Sequence, residues 1–152
     1  DYSEEQTNII FNKIKIFFTP DKYKIIIIPS YRTPKDIIKK AFNTFSHNNL
    51  VIKDVDKNAY LSSLALADVI VVTCDSTSMI SEAAVTGKPI YVANMKPIKN
   101  NNRFKNFYIQ FQKLGIIRDL GENVDLWNYN KLDEVNRIAP MIKERMKLNG
   151  II

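Results

Sequence analysis

The sequence has little cysteine and histidine, with one residue of each among 152. The single Cys74 excludes an internal disulfide and fits a reducing compartment. The single His47 has no cysteine or carboxylate close to it in the sequence, which argues against a metal site there. We therefore expect a cytoplasmic protein that holds no metal ion.

Long hydrophobic runs are also missing. No apolar run in the chain approaches the roughly 20 residues that a membrane-spanning helix needs. The chain begins at Asp1, without Met and without the basic and then apolar pattern of a secretory signal, which favours a fragment of a longer protein. The sequence thus predicts no transmembrane segment and leaves peripheral contact with a membrane open.

Acidic residues are outnumbered, so the formal net charge is +6 and the isoelectric point is near 9.3. Such a balance favours anionic partners, but Lys and Arg are scattered along the chain instead of forming a basic run. The interleaved basic and aromatic residues of a nucleic-acid-binding strand are not found. We expect an ordinary basic surface and no nucleic-acid partner.

The clearest structural signal is a set of short apolar runs rich in β-branched residues. They cover Tyr23–Ser30, Leu50–Asp54, Asp68–Cys74 and Lys88–Asn94. The first and third runs are continuous instead of alternating, which is typical of parallel strands covered on both faces. These runs are the predicted strands.

Helical patterns alternate with the predicted strands, over Pro34–Phe45, Ala59–Ala67 and Ser78–Thr86. Such alternation predicts right-handed βαβ units and a parallel sheet. One helix before the first strand and two after the last, at about 4–18, 103–114 and 132–148, complete the pattern. We predict an α/β fold with a Rossmann-like parallel sheet flanked by helices, in a single domain over residues 1–152.

In such a sheet, ligands bind where a strand ends and the next helix begins. The loop "PSYRTPKD" follows the first strand, with Thr33 as a candidate N-cap and Pro34 at the first helical position. Arg32 lies just ahead of that helix, near the place where an anion would be held. An exposed loop arginine without a ligand fits the same pattern.

The loop "CDSTSMISEA" follows the third strand and carries a cluster of hydroxyl groups. Asp75 or Ser76 can cap the next helix, whose free N–H groups and dipole favour an anion. The hydroxyls of Ser76, Thr77 and Ser78 add further donors, so this loop suits a phosphate.

Glu82 lies four residues after Ser78, on the same helix face and one turn further along. Its carboxylate would repel a phosphate in direct contact, but it could accept hydrogen bonds from sugar hydroxyls. The plain alternative is an N-capped helix with polar first-turn residues and a solvated glutamate. The residues alone leave both interpretations open.

The stretch "LADVIVVTCDSTSMISEAAVTGKPIYV" resembles the core "ADxxxVTxDSxSMxSEAxxTGKPVxV" of the mitochondrial-fission (elongated-mitochondria) family. The segments "PSYRTP", "NRFKNFYIQFQKLGIIRDL" and "WNYNKLDEVNRIA" resemble further parts of the same family. Together the matches cover roughly Ile25 to Ala139. The sequence has Tyr31 where the family has a first arginine.

This family is similar to GT-B glycosyltransferases and UDP-N-acetylglucosamine 2-epimerases, whose C-terminal half holds a nucleotide sugar. The resemblance implies a nucleoside-diphosphate sugar as the ligand, with no separate cofactor. It places the diphosphate on Ser76, Thr77 and Ser78, the ribose on Glu82, and Arg32 near a phosphate. Apart from the resemblance, Asp75 precedes Ser76 and Arg103 begins the helix after the fourth strand, so we expect both beside the ligand, behind the residues that touch it. Many of those relatives have glycines where this chain has hydroxyl residues at 76–78.

The resemblance also implies that residues 1–152 are the C-terminal half of a GT-B-like fold that lacks its N-terminal domain. Joined to that domain, the chain would be expected to act as a glycosyltransferase, whereas the isolated fragment would be inactive. The alternative is a non-catalytic GT-B-like module that serves for interaction.

Overall fold

A computed structural model describes residues 3–94, 102–121 and 124–152, without the side chains of residues 102 and 103. Helices and strands alternate along the chain. The elements are α1 (Glu4–Phe17), β1 (Ile26–Ile27), α2 (Lys35–Phe45), β2 (Leu50–Val51), α3 (Lys57–Leu66), β3 (Ile70–Thr73), α4 (Thr77–Ala84), β4 (Ile90–Ala93), α5 (Asn102–Lys113), β5 (Ile117–Asp119) and α6 (Glu134–Leu148).

All strand pairs in the described parts of the chain are parallel. β1 pairs with β2, while β3, β4 and β5 form a three-stranded sheet with β4 in the middle. Parallel strands joined by helices are the arrangement that the strand and helix alternation predicts. The α/β, Rossmann-like fold class is therefore confirmed.

The middle strand β4 has its core on both faces. Ile90 and Val92 lie in a cluster with Ile80 of α4, whereas Tyr91 and Ala93 lie in a second cluster with Ile10 of α1. Successive side chains of a strand point to opposite faces, so one strand serves two hydrophobic layers. The helices α4 and α1 thereby fix the sheet from opposite sides.

One prediction about the strands is wrong, and one strand was not predicted. The first apolar run is not covered on both faces, because only Ile26 and Ile27 join a ladder and Ile26 is 42% exposed. Pro29 follows shortly and has no N–H to donate, which limits the length of that strand. The strand β5 was not predicted, because three residues directly after a helix are too few to show a pattern.

Thr33 does not cap α2. The helix begins at Lys35 after an extended Pro34, and no side chain caps it. The Thr33 hydroxyl instead accepts a hydrogen bond of 2.9 Å from the Ser30 backbone N–H. The backbone N–H of Thr33 also donates to the Ser30 carbonyl at 2.9 Å. The hydroxyl therefore closes the turn that carries Arg32. Turn and helix cap compete for the same hydroxyl, and here the turn takes it.

The length and hydropathy of the described helices show whether any of them could span a membrane. Within residues 3–94, 102–121 and 124–152, no helix is long and apolar enough to cross a bilayer.

Candidate functional site

Arg32 lies against the loop that opens α4. Its Nη1 atom donates to the Asp75 carbonyl oxygen at 3.0 Å, and its Nη2 atom lies 3.3 Å from Asp75 Oδ2. The strands β1 and β3, which precede these two residues, belong to different hydrogen-bonded sheets. The ion pair therefore joins the loops that follow these two strands. It brings Arg32 beside Ser76 and the start of α4.

The Asp75 carboxylate is only partly neutralised by this contact. Its second oxygen, Oδ1, is buried and accepts no hydrogen bond within the part of the chain that the structure describes. A buried oxygen of this kind loses its contact with water without full replacement. Asp75 thus puts a negative charge next to the helix start and beside the Arg32 guanidinium.

Ser76 is the N-cap of α4 and is 7% exposed. Its hydroxyl accepts a hydrogen bond of 3.4 Å from the Met79 N–H, and its carbonyl accepts one of 3.2 Å from the Ile80 N–H. Thr77 and Ser78 begin the helix, so their own N–H groups have no partner inside it. Thr77 is partly buried and Ser78 is exposed, so donors remain at the helix start.

Glu82 lies one turn further along α4 and faces α3. Its Oε2 atom accepts a hydrogen bond of 2.7 Å from the Tyr60 hydroxyl. The two residues border an open groove of about 520 Å³, which we call the α3–α4 groove. Its lining residues are Lys57, Tyr60, Leu61, Leu64, Glu82 and Val85.

Burial raises the pKa of the Tyr60 hydroxyl above its ordinary value, and the hydrogen bond to Glu82 raises it further. The phenol accordingly stays protonated at neutral pH. Tyr60 is therefore a permanent donor to the Glu82 carboxylate, and it holds one of the two carboxylate oxygens.

Tyr108 of α5 supports the same end of β3. Its hydroxyl donates a short hydrogen bond to the Cys74 carbonyl. Burial raises the pKa of Tyr108, and the acidic groups Cys74, Asp75 and Asp119 raise it further, so this phenol also stays protonated. Tyr108 thus anchors the backbone just before Asp75.

The polar contacts of Tyr60 and Tyr108 do not follow from the sequence. The helical spacing of Phe104, Phe107, Tyr108 and Phe111 predicts a core-facing aromatic stripe. The last three do pack against the core, whereas Phe104 is 36% exposed. Tyr60 lies 22 residues before Glu82, and no sequence pattern links the two. Only the packing of α3 beside α4 brings them together.

The structure does not describe the Arg103 side chain, so the predicted place of Arg103 near the ligand falls outside the described residues. Elsewhere in the described ranges, no group of three or more His, Cys, Asp or Glu side chains could hold a metal ion. The described site consists of the Arg32 cation with its Asp75 partner, helix N–H groups and hydroxyls at one point, and the Glu82 carboxylate one turn away. Those groups suit an anion joined to a hydroxyl-bearing ring.

A family model described as "Mitochondrial fission ELM1" matches residues 1–146 of this chain. The match therefore includes all of the elements that carry the candidate site.

Two curated proteins are similar to the chain. One is the uncharacterised protein RP120 of Rickettsia prowazekii (strain Madrid E), which is 35% identical over 128 residues, or 79% of this chain and 36% of the relative. The other is the mitochondrial fission protein ELM1 of Arabidopsis thaliana, which is 31% identical over 126 residues, or 80% of this chain and 29% of the relative. The chain thus spans about a third of the length of these relatives. No solved structure matches it.

Proposed function

Since this chain belongs to the mitochondrial fission ELM1 family, we propose that it is the C-terminal, nucleotide-holding half of a two-domain GT-B-like protein and that it binds a nucleoside-diphosphate sugar. The observation that carries the proposal is the meeting of Arg32 with the loop that opens α4, one turn before Glu82. A cation and helix N–H groups suit a diphosphate, and the carboxylate suits a ribose.

The diphosphate would be held by Arg32 and by the hydroxyl and N–H groups at Ser76, Thr77 and Ser78. A helix dipole alone contributes about 0.3 to 1 kcal/mol to anion binding. Hydrogen bonds to a charged group contribute about 1.5 to 3 kcal/mol each. The side chains and N–H groups should therefore dominate recognition, and the dipole should add to them.

The proposed reaction is glycosyl transfer, carried out only when this domain faces its N-terminal partner domain. Half of the cleft would then be absent from residues 1–152, so the isolated domain should bind a nucleoside diphosphate weakly and transfer no sugar. The length of the relatives supports this proposal, since the chain spans about a third of them.

The alternative is a non-catalytic GT-B-like module that serves for interaction. One observation favours it: Arg32 is already paired with Asp75, whose second carboxylate oxygen is buried beside the anion position. A site occupied by its own ion pair gives up that pair before it can bind a diphosphate. A module that no longer binds nucleotides could keep the pair as a structural link.

A binding panel separates the two functions. Isothermal titration of the full-length protein with UDP, ADP, GDP, CDP and their parent nucleosides should show at least one diphosphate that binds more tightly than its nucleoside. The Arg32→Ala variant should lose most of that difference. The Lys39→Ala variant, which removes an exposed charge of α2, should keep it. If no diphosphate binds, the interaction module is the better account.

Replacing Asp75 with Asn should strengthen diphosphate binding, by about two- to tenfold. The change removes the negative charge next to the phosphate position and releases Arg32 from its ion pair, while the side chain keeps its size. Part of the gain is offset because Arg32 keeps only its hydrogen bond to the carbonyl of residue 75 and is less ordered. Titration of wild type and variant at equal ionic strength measures the ratio, and an unchanged or weaker affinity would contradict it.

A further inference from the structure

Among the residues that the structure describes, Tyr60 is the hydrogen-bond partner of the Glu82 carboxylate. Its hydroxyl lies 2.7 Å from Oε2, while the Oε1 atom of Glu82 makes no hydrogen bond in the described ranges. A long exposed glutamate otherwise samples several rotamers, and their restriction on binding costs affinity. The contact therefore orders the side chain before any ligand arrives.

The position of Tyr60 is itself well determined. Asp56 caps α3, accepting hydrogen bonds from the Asn58 and Ala59 N–H groups at 2.8 and 3.0 Å. The Tyr60 N–H donates to the Asp56 carbonyl at 3.0 Å. Tyr60 thus lies in the first turn of a capped helix, and its ring is partly buried.

We propose that Tyr60 is a positioning residue that makes the site selective for ribose over 2′-deoxyribose, because it holds one oxygen of Glu82 and turns the other toward the sugar. This inference rests on the proposed function. Oε1 and the remaining lone pair of Oε2 accept from the 2′ and 3′ hydroxyls at once. A ligand without the 2′ hydroxyl gains less from a carboxylate held in this orientation.

The test uses Tyr60→Phe, which removes one hydroxyl and keeps the ring that lines the α3–α4 groove. Binding of UDP, ADP, GDP and CDP and of their 2′-deoxy forms is measured on the full-length protein. We expect the variant to weaken the ribonucleotide by about three- to tenfold and the deoxynucleotide by less than about twofold. The ratio of the two affinities should therefore fall.

Two controls separate positioning from a structural role. Tyr23→Phe removes a hydroxyl from a ring that packs on Phe18, in the hydrophobic cluster that contains Ile10. This change should leave the ribose preference unchanged. In a Glu82→Gln background, Tyr60→Phe should lower the preference much less than in the wild type, because the carboxylate that Tyr60 positions is absent.

The outcomes are distinct. If no nucleotide binds the wild-type protein, the proposed function fails and this inference fails with it. If nucleotides bind and Glu82→Gln lowers the ribose preference while Tyr60→Phe does not, only the role of Tyr60 is overturned. Equal losses for both sugars in Tyr60→Phe would also overturn it, since a merely structural defect weakens both ligands alike.

Discussion

Replacing Glu82 with Gln is expected to weaken binding of a ribonucleoside diphosphate by about 1.5 to 3 kcal/mol, or on the order of ten- to 150-fold. The carboxylate is proposed to accept hydrogen bonds from both ribose hydroxyls, and Gln offers one neutral acceptor in nearly the same volume. The fold should barely change, because Glu82 is exposed and Gln can still accept from Tyr60. Titration calorimetry of the full-length protein measures the loss.

The 2′-deoxy ligand gives this experiment its control. It has already lost one hydroxyl, so Glu82→Gln should cost much less with it, and the two changes should be non-additive in a double-mutant cycle. Ser76→Ala should weaken both ligands equally, because its proposed partner is the diphosphate. Equal losses for both ligands on changing Glu82 would leave it an ordinary surface charge.

The difference between Glu82 and Ser76 shows what the sequence could predict of the site. Ser76 follows a buried strand and precedes a helix, so its role as the N-cap of α4 follows from local pattern, and the structure has that cap. Its proposed contact with a phosphate remains a prediction. The spacing of Glu82 on the helix face is also local, but its contact with Tyr60 depends on how two helices pack.

In the fold, too, features set by neighbouring residues could be predicted, whereas features set by residues distant in sequence could not. The alternation of apolar runs and helical patterns predicts a parallel sheet, and the paired strands confirm it. Burial of individual strands was less predictable. The run at Ile26 looks as apolar as the fully buried β4, yet Ile26 is largely uncovered because burial depends on neighbours that are distant in sequence.

Thr33 is a third residue whose contact could not be predicted from the sequence. A threonine followed by Pro is a good sequence signal for a helix start, and α2 does begin two residues later. The hydroxyl nevertheless bonds to Ser30 within the preceding turn. Turn and cap compete for the same oxygen, and the residue pattern does not show which of the two takes it.

The helix α4 is held by a side chain with no contact with water. Ile80 is 0% exposed and packs in one cluster with Ile70 and Val72 of β3 and with Ile90 and Val92 of β4. It lies between the capped start of α4 and Glu82. Ala83 and Ala84 of the same helix are also fully buried in this cluster, so the core-facing side of α4 holds both halves of the proposed site against the sheet.

Replacing Ile80 with Ala is expected to lower the free energy of unfolding by about 2 to 5 kcal/mol, because it removes buried apolar atoms and leaves a cavity. For a domain of this size the melting temperature should fall by roughly 5 to 20 °C. The matched control is Val85→Ala at the end of the same helix, where the side chain is 57% exposed and the change should stay within about 0.5 kcal/mol. Urea unfolding of both variants followed by circular dichroism measures the two losses. Similar losses in the two variants would show that α4 does not depend on the Ile80 contact.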